Sequence, residues 1–158
     1  MFDELLRIKA FREQSAALAV TRQKRLVEEC AQAVQQARGD VVKFREYRVQ
    51  QEQQHFDDIK GRPVPLRAIE DMKLHAAALK EKESALEAQI LVEEKRLKET
   101  KQVLEQARQR HAEAVRAHEK FNEFMTIQRE AERREQVLRE EAELEEVAGT
   151  GRQAHSMV

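Results

Sequence analysis

The chain has 158 residues, with 37% charged and 4% aromatic residues, four glycines, two prolines and no tryptophan. An α/β enzyme or a β-sandwich needs more glycine at its turns and a larger aromatic core, so this composition argues against both. It favours long helices, because Ala, Glu, Gln, Lys, Arg and Leu are good helix formers. The net charge is −1, from 29 basic and 30 acidic side chains, and no long segment carries the basic excess of a nucleic-acid or anionic-membrane binder.

In chain order, the first expected element is a helix from about Phe2 to Lys60. Val20, Val27, Val34 and Val41 recur at seven-residue spacing, and Cys30, Ala37 and Phe44 follow three residues after the last three. This is the 3.5-residue repeat of a left-handed coiled coil. Ile8, Phe11 and Leu18 fall on a different stripe, so the register is expected to slip upstream of Val20. Gly39 lies inside the pattern and costs about 1 kcal/mol relative to alanine.

Gly61-Arg62-Pro63-Val64-Pro65 is the break. Glycine suits the position past a helix end, and proline suits the first turn of the next helix. The second helix is expected from about Leu66 to Val147, with residues 148–158 as a flexible tail. From Ile69 its seam positions read Ile69, Met72, Ala76, Leu79, Leu86, Ile90, Leu97, Leu104, Ala107, Ala114, Phe121 and Met125. Residues 1–147 thus form one domain in this reading. It is all-α: an antiparallel two-helix coiled-coil hairpin with the second helix longer than the first.

The pairing follows from the break. With the tip near Pro63, Val41 faces the region of Leu86, Val27 that of Thr100, and Val20 that of Ala107. Met1 falls opposite Met125, where the second helix loses its partner. The composition changes at the same place: of the 22 residues from Thr126 to Val147, 12 are charged and seven apolar. A lone helix of that kind survives in water through charged pairs, but only marginally.

Few constellations point to chemistry. There is no phosphate-binding glycine loop, so nucleotide hydrolysis and enzymatic activity are not expected. His111 and His118 are two helical turns apart, too far for one metal without other ligands, and read as polar interruptions of the seam. Cys30 reads as a small seam hydrophobe. It has no cysteine to pair with, which suits a reducing compartment. Glu83 and Glu93 interrupt the seam and are expected to reach solvent, or else to mark register. No secretory signal and no spanning segment is visible, so a cytoplasmic location is expected. No metal or other cofactor is implied.

Two surfaces read as sites for partners. Phe44 and Tyr47 sit three apart, and Phe56 and Ile59 repeat that spacing nearer the tip. One narrow seam cannot bury all four, and exposed aromatics mark partner surfaces. Arg22, Lys24 and Arg25 form a small basic cluster, either a solvated face or a dock for an acidic partner.

Four segments carry a resemblance. Leu5-Leu6-Arg7-Ile8-Lys9, Gln54-His55-Phe56-Asp57, Leu79-Lys80-Glu81-Lys82-Glu83 and Glu119-Lys120-Phe121-Asn122-Glu123, in that order around the break, resemble the YscO/FliJ family of type III secretion stalk proteins over about residues 5–145. The resemblance implies a non-enzymatic stalk, peripheral at the secretion apparatus and similar in shape to the rotary ATP synthase gamma coiled coil. It implies the secretion ATPase hexamer, the export gate protein and export chaperones as partners. It assigns gate contact to Phe44 and Tyr47, and ATPase contact to the terminal end near Arg22, Lys24 and Arg25. A generic cytoplasmic coiled-coil scaffold or spacer is the alternative. A chaperone with a tentacle-like hairpin fits less well, since no separate assembly segment is present.

Overall fold

The computed structural model describes residues 2–156. It is an antiparallel two-helix coiled-coil hairpin of α1, Phe2–Ile59, and α2, Leu66–Ser156. The second helix is the longer, 91 residues against 58. Among the described residues there is no strand.

The ends follow from local chemistry. Asp3 and Glu4 lie in the first turn of α1, where carboxylates meet the positive end of the helix dipole. At the other end Gly61 takes φ +75°, a left-handed conformation that costs glycine little. The Arg62 N–H then donates to the Ile59 carbonyl at 3.3 Å and closes the turn. Pro65 sits just before α2, and its carbonyl accepts from the Ala68 N–H at 3.0 Å.

The far end of α2 differs from the sequence expectation. The helix passes Val147 and continues through Gly149 and Gly151 to Ser156. Among the described residues only Gly61 is a positive-φ glycine, so neither Gly149 nor Gly151 makes a left-handed stop. A helical glycine costs about 1 kcal/mol, which weakens a helix without ending it. The Thr150 hydroxyl also donates back to the Glu146 carbonyl at 2.8 Å. The last two residues of the expected tail lie outside the described residues.

The contacts divide the chain into two units. One is Leu18–Gln109, which holds the turn. Its core is Val34, Ala37 and Val41 of α1 with Leu79 and Leu104 of α2. Val20, Val27, Cys30 and Phe44 are half-buried beside them, as are Ile69, Met72, Ala76, Leu86, Ile90, Leu97 and Ala107. Leu86 and Leu97 are thus less covered than full core residues, because two helices enclose a seam from one side only.

The pairing within this unit is close to the one expected. Several pairs lie about one helical turn further along: Cys30 meets Thr100, and Arg45 meets Glu83 and Glu87. The cause is side-chain direction. Helical side chains lean toward their own N-terminus, so in an antiparallel pair each contacting residue sits C-terminal to the point of contact.

The other unit joins α1 up to Ala17 with α2 from Arg110 onward. Met125 is its buried seam residue. The Phe2 and Phe124 rings meet edge to face at 5.9 Å. The Lys9 ammonium lies 5.5 Å from the centre of the Phe121 ring. Glu13 pairs with His118 Nδ1, and Asp3 with Arg129 at 3.6 Å. Leu6, Lys9, Glu13, Ala16 and Ala17 are the half-buried positions of α1 in this unit, whereas Leu5, Ile8 and Phe11 are exposed. The expected slip of register does not occur: Leu6, Lys9, Glu13 and Ala16 keep the heptad spacing of the valines, with two polar residues among them. From Thr126 to Gly151 every residue is exposed.

Candidate functional site

Two packed helices form a single layer, so the candidate sites among the described residues are surfaces. The candidate aromatics all lie on α1 within the Leu18–Gln109 unit. Phe44 occupies a seam position and is half-buried, with the Lys82 ammonium 5.5 Å from its ring centre. Tyr47 lies outside the seam and is 47% exposed; its ring is 5.9 Å from that of Phe44. Ile59 is half-buried at the end of α1, and Phe56 is 55% exposed. The four therefore split into two that support the fold and two that face solvent.

Phe56 has company that the aromatic spacing did not reveal. Val42, Val49 and Phe56 are all more than half exposed. They sit seven residues apart, one position after the seam residues Val41, Arg48 and His55. This is a second apolar stripe with coiled-coil spacing. The same seven-residue count that found the valine seam finds it, but only the fold tells which stripe is covered.

Arg22, Lys24 and Arg25 are exposed on α1 of this unit. Arg38 and Arg45 are exposed as well but are tied across the helix pair. Arg38 bonds Glu94 at 3.0 Å, and Arg45 bonds Glu83 at 2.9 Å and Glu87 at 2.7 Å. The Arg45 guanidinium pKa is raised above the usual arginine value, first by the Glu87 hydrogen bond and then by that of Glu83.

The two acidic seam residues do not reach solvent. The Glu83 side chain is 12% exposed and also takes Arg48 at 2.8 Å. Glu93 is buried at 8% exposure, where Gln89 donates to one carboxylate oxygen at 3.0 Å. The neighbouring helix supplies arginines to Glu83, which makes burial tolerable. Glu83 thus ties the two helices at one register, whereas the partners of Glu93, Gln89 and Arg96, lie on its own helix.

Cys30 is half-buried with its thiol 3.5 Å from the Thr100 hydroxyl, so it packs in the seam as expected. Of the two seam histidines, His118 is held by Glu13 and His111 is half-buried. Among the described residues no three His, Cys, Asp or Glu side chains gather as a metal site, and no helix is long and apolar enough to cross a membrane.

Comparison with known proteins gives one family. No curated relative matches the chain. The crystal structure of the type III secretion protein YscO from Vibrio parahaemolyticus is similar to it, with a TM-score of 0.84 and 29% identity over 92% of each chain. The family model for type III secretion protein YscO matches residues 2–150. A match over nearly the whole hairpin, on a fold of the same form, means that the chain belongs to the YscO family of type III secretion proteins.

Proposed function

We propose that this chain is a non-enzymatic stalk of a type III secretion export apparatus. It links and stimulates the export ATPase ring, contacts the export gate and offers a dock to substrate chaperones. The observation that carries this reading is the family match over residues 2–150. The surfaces described above suit it. Exposed Tyr47 and Phe56 supply aromatic anchors of the kind that dominate binding energy. Arg22, Lys24 and Arg25 supply unburied positive charge. In α2, residues 126–151 mix both signs of charge and bury nothing, so this stretch can sit in a ring without locking to one subunit.

The assignment has two parts. Arg22, Lys24 and Arg25, and separately the exposed end of α2, meet the ATPase. The Phe44–Ile59 stretch meets the gate. Contacts made by exposed charge weaken with salt, and aromatic ones do not. The test compares two variants in ATPase stimulation and gate binding. Alanine at Arg22, Lys24 and Arg25 should lose stimulation and keep the gate. Alanine at Phe44 and Tyr47 should keep stimulation and lose the gate. If the parent chain does not stimulate its cognate ATPase, the stalk reading fails and a plain spacer remains.

A further inference from the structure

Near the turn of the Leu18–Gln109 unit, His55 of α1 and His75 of α2 approach each other. Their ring centroids are 5.0 Å apart and their planes meet at 70°. Nε2 of His55 is buried and has no hydrogen-bond partner. A buried ring nitrogen left without a partner costs free energy, so it calls for a ligand. Beside the pair is a cavity of about 210 Å³, lined by Glu52, His55, Phe56, Met72, Lys73, His75, Ala76 and Leu79.

We propose that His55 and His75 form a two-imidazole site for a divalent transition-metal ion that bridges α1 and α2. The geometry supports it. With metal–nitrogen bonds of about 2.0–2.1 Å, each ring centre lies roughly 3.2 Å from a bound ion. Two such rings have centres about 4.5 Å apart at a right angle and about 5.2 Å apart at the tetrahedral angle. The observed 5.0 Å lies between these. Neutral imidazole nitrogens suit Zn²⁺, Ni²⁺ and Cu²⁺, with Cu²⁺ the tightest. They do not suit Mg²⁺ or Ca²⁺, which need oxygen donors. The Glu52 carboxylate at the cavity wall favours a cation. The Lys73 ammonium opposes one, but its long stem lets the charge move to solvent. No third His, Cys, Asp or Glu joins the pair among the described residues, so water completes the coordination. The bound ion clips the two helices together beside the turn.

The test is calorimetric titration of the full chain with ZnCl₂, NiCl₂, CuCl₂ and MgCl₂. The chain should bind one Zn²⁺, Ni²⁺ or Cu²⁺ and no Mg²⁺. His75 is exposed, so His75→Ala leaves the fold intact and should weaken binding about tenfold or more, since the second ligand supplies the effective-concentration gain. His55→Ala should do the same. The chain has five histidines; replacing His111, His118 and His155 with alanine together should leave the titration unchanged. Transition-metal affinity left unchanged by His75→Ala, or lost in the triple variant, overturns the site. So does a parent chain that binds none of the three ions.

Discussion

The two units solve the same packing problem with different chemistry. In Leu18–Gln109 the buried seam is mostly apolar, made by Val34, Ala37, Val41, Leu79 and Leu104, with Glu93 buried among them. In the other unit α1 places Lys9 and Glu13 at the corresponding heptad positions, and α2 answers with Phe121 and His118. Apolar seams gain from area removed from water, at roughly 25 cal/mol per Å². Polar ones gain little net and are sensitive to salt. The difference teaches that heptad spacing sets where the helices touch, while residue type sets how firmly. Past Met125 neither applies, because every residue from Thr126 to Gly151 is exposed.

The largest effect is expected in the apolar seam. Leu104→Ala should cost about 2–3 kcal/mol, the low end for a buried leucine, because a thin seam leaves room to relax. A urea melt measures it. A cost below about 0.5 kcal/mol would mean that the valine–leucine seam is not what holds this unit.

Next comes the register device. Glu83→Ala removes a carboxylate shared by Arg45 and Arg48 and should cost about 1–2 kcal/mol, since Arg48 keeps a partly covered charge. Arg45 itself should add no pH dependence near neutrality. Its folded pKa is raised, so its contribution is complete below the ordinary arginine value and fades only as pH rises through the raised one. Melts from pH 7 to pH 10 should therefore show no step from this residue.

A polar contact of the other unit should matter less. Glu13→Gln should cost about 0.5–1 kcal/mol, and half a molar salt should shrink that difference. An effect as large as that of Leu104→Ala would erase the contrast between the units. Gly39→Ala should stabilise by about 0.5–1 kcal/mol, because Gly39 is helical and an added Cβ meets nothing within 4 Å. Smallest of all, Leu138→Ser should change the melt by less than about 0.5 kcal/mol, since Leu138 is exposed on α2 beyond Met125.

Much of the fold was legible because its signals are local and redundant. The valines at seven-residue spacing, the glycine and prolines of the turn, and the charged run after Met125 each point to the same hairpin. Three things were not legible. Lys9 and Glu13 read as surface residues until their partners on α2 are known, so Ile8, Phe11 and Leu18 drew the eye to a stripe that is exposed. The segment after Val147 has no apolar period and reads as a tail, yet neither Gly149 nor Gly151 takes a left-handed conformation, so the helix continues. His55 and His75 come from different helices, and only the pairing brings them together. Of the candidate partner-binding residues, spacing identified the aromatics but not which of them the facing helix would cover.

Amide hydrogen exchange of the full chain, alone and with its cognate export ATPase, tests the central claim most directly. Alone, residues 126–151 should exchange fast while Val34–Val41 and Leu79–Leu104 are protected. With the ATPase, residues 126–151 and 22–25 should slow, and the Phe44–Ile59 stretch should not. Protection of 126–151 in the free chain, or slowing confined to Phe44–Ile59 on adding the ATPase, would contradict the account.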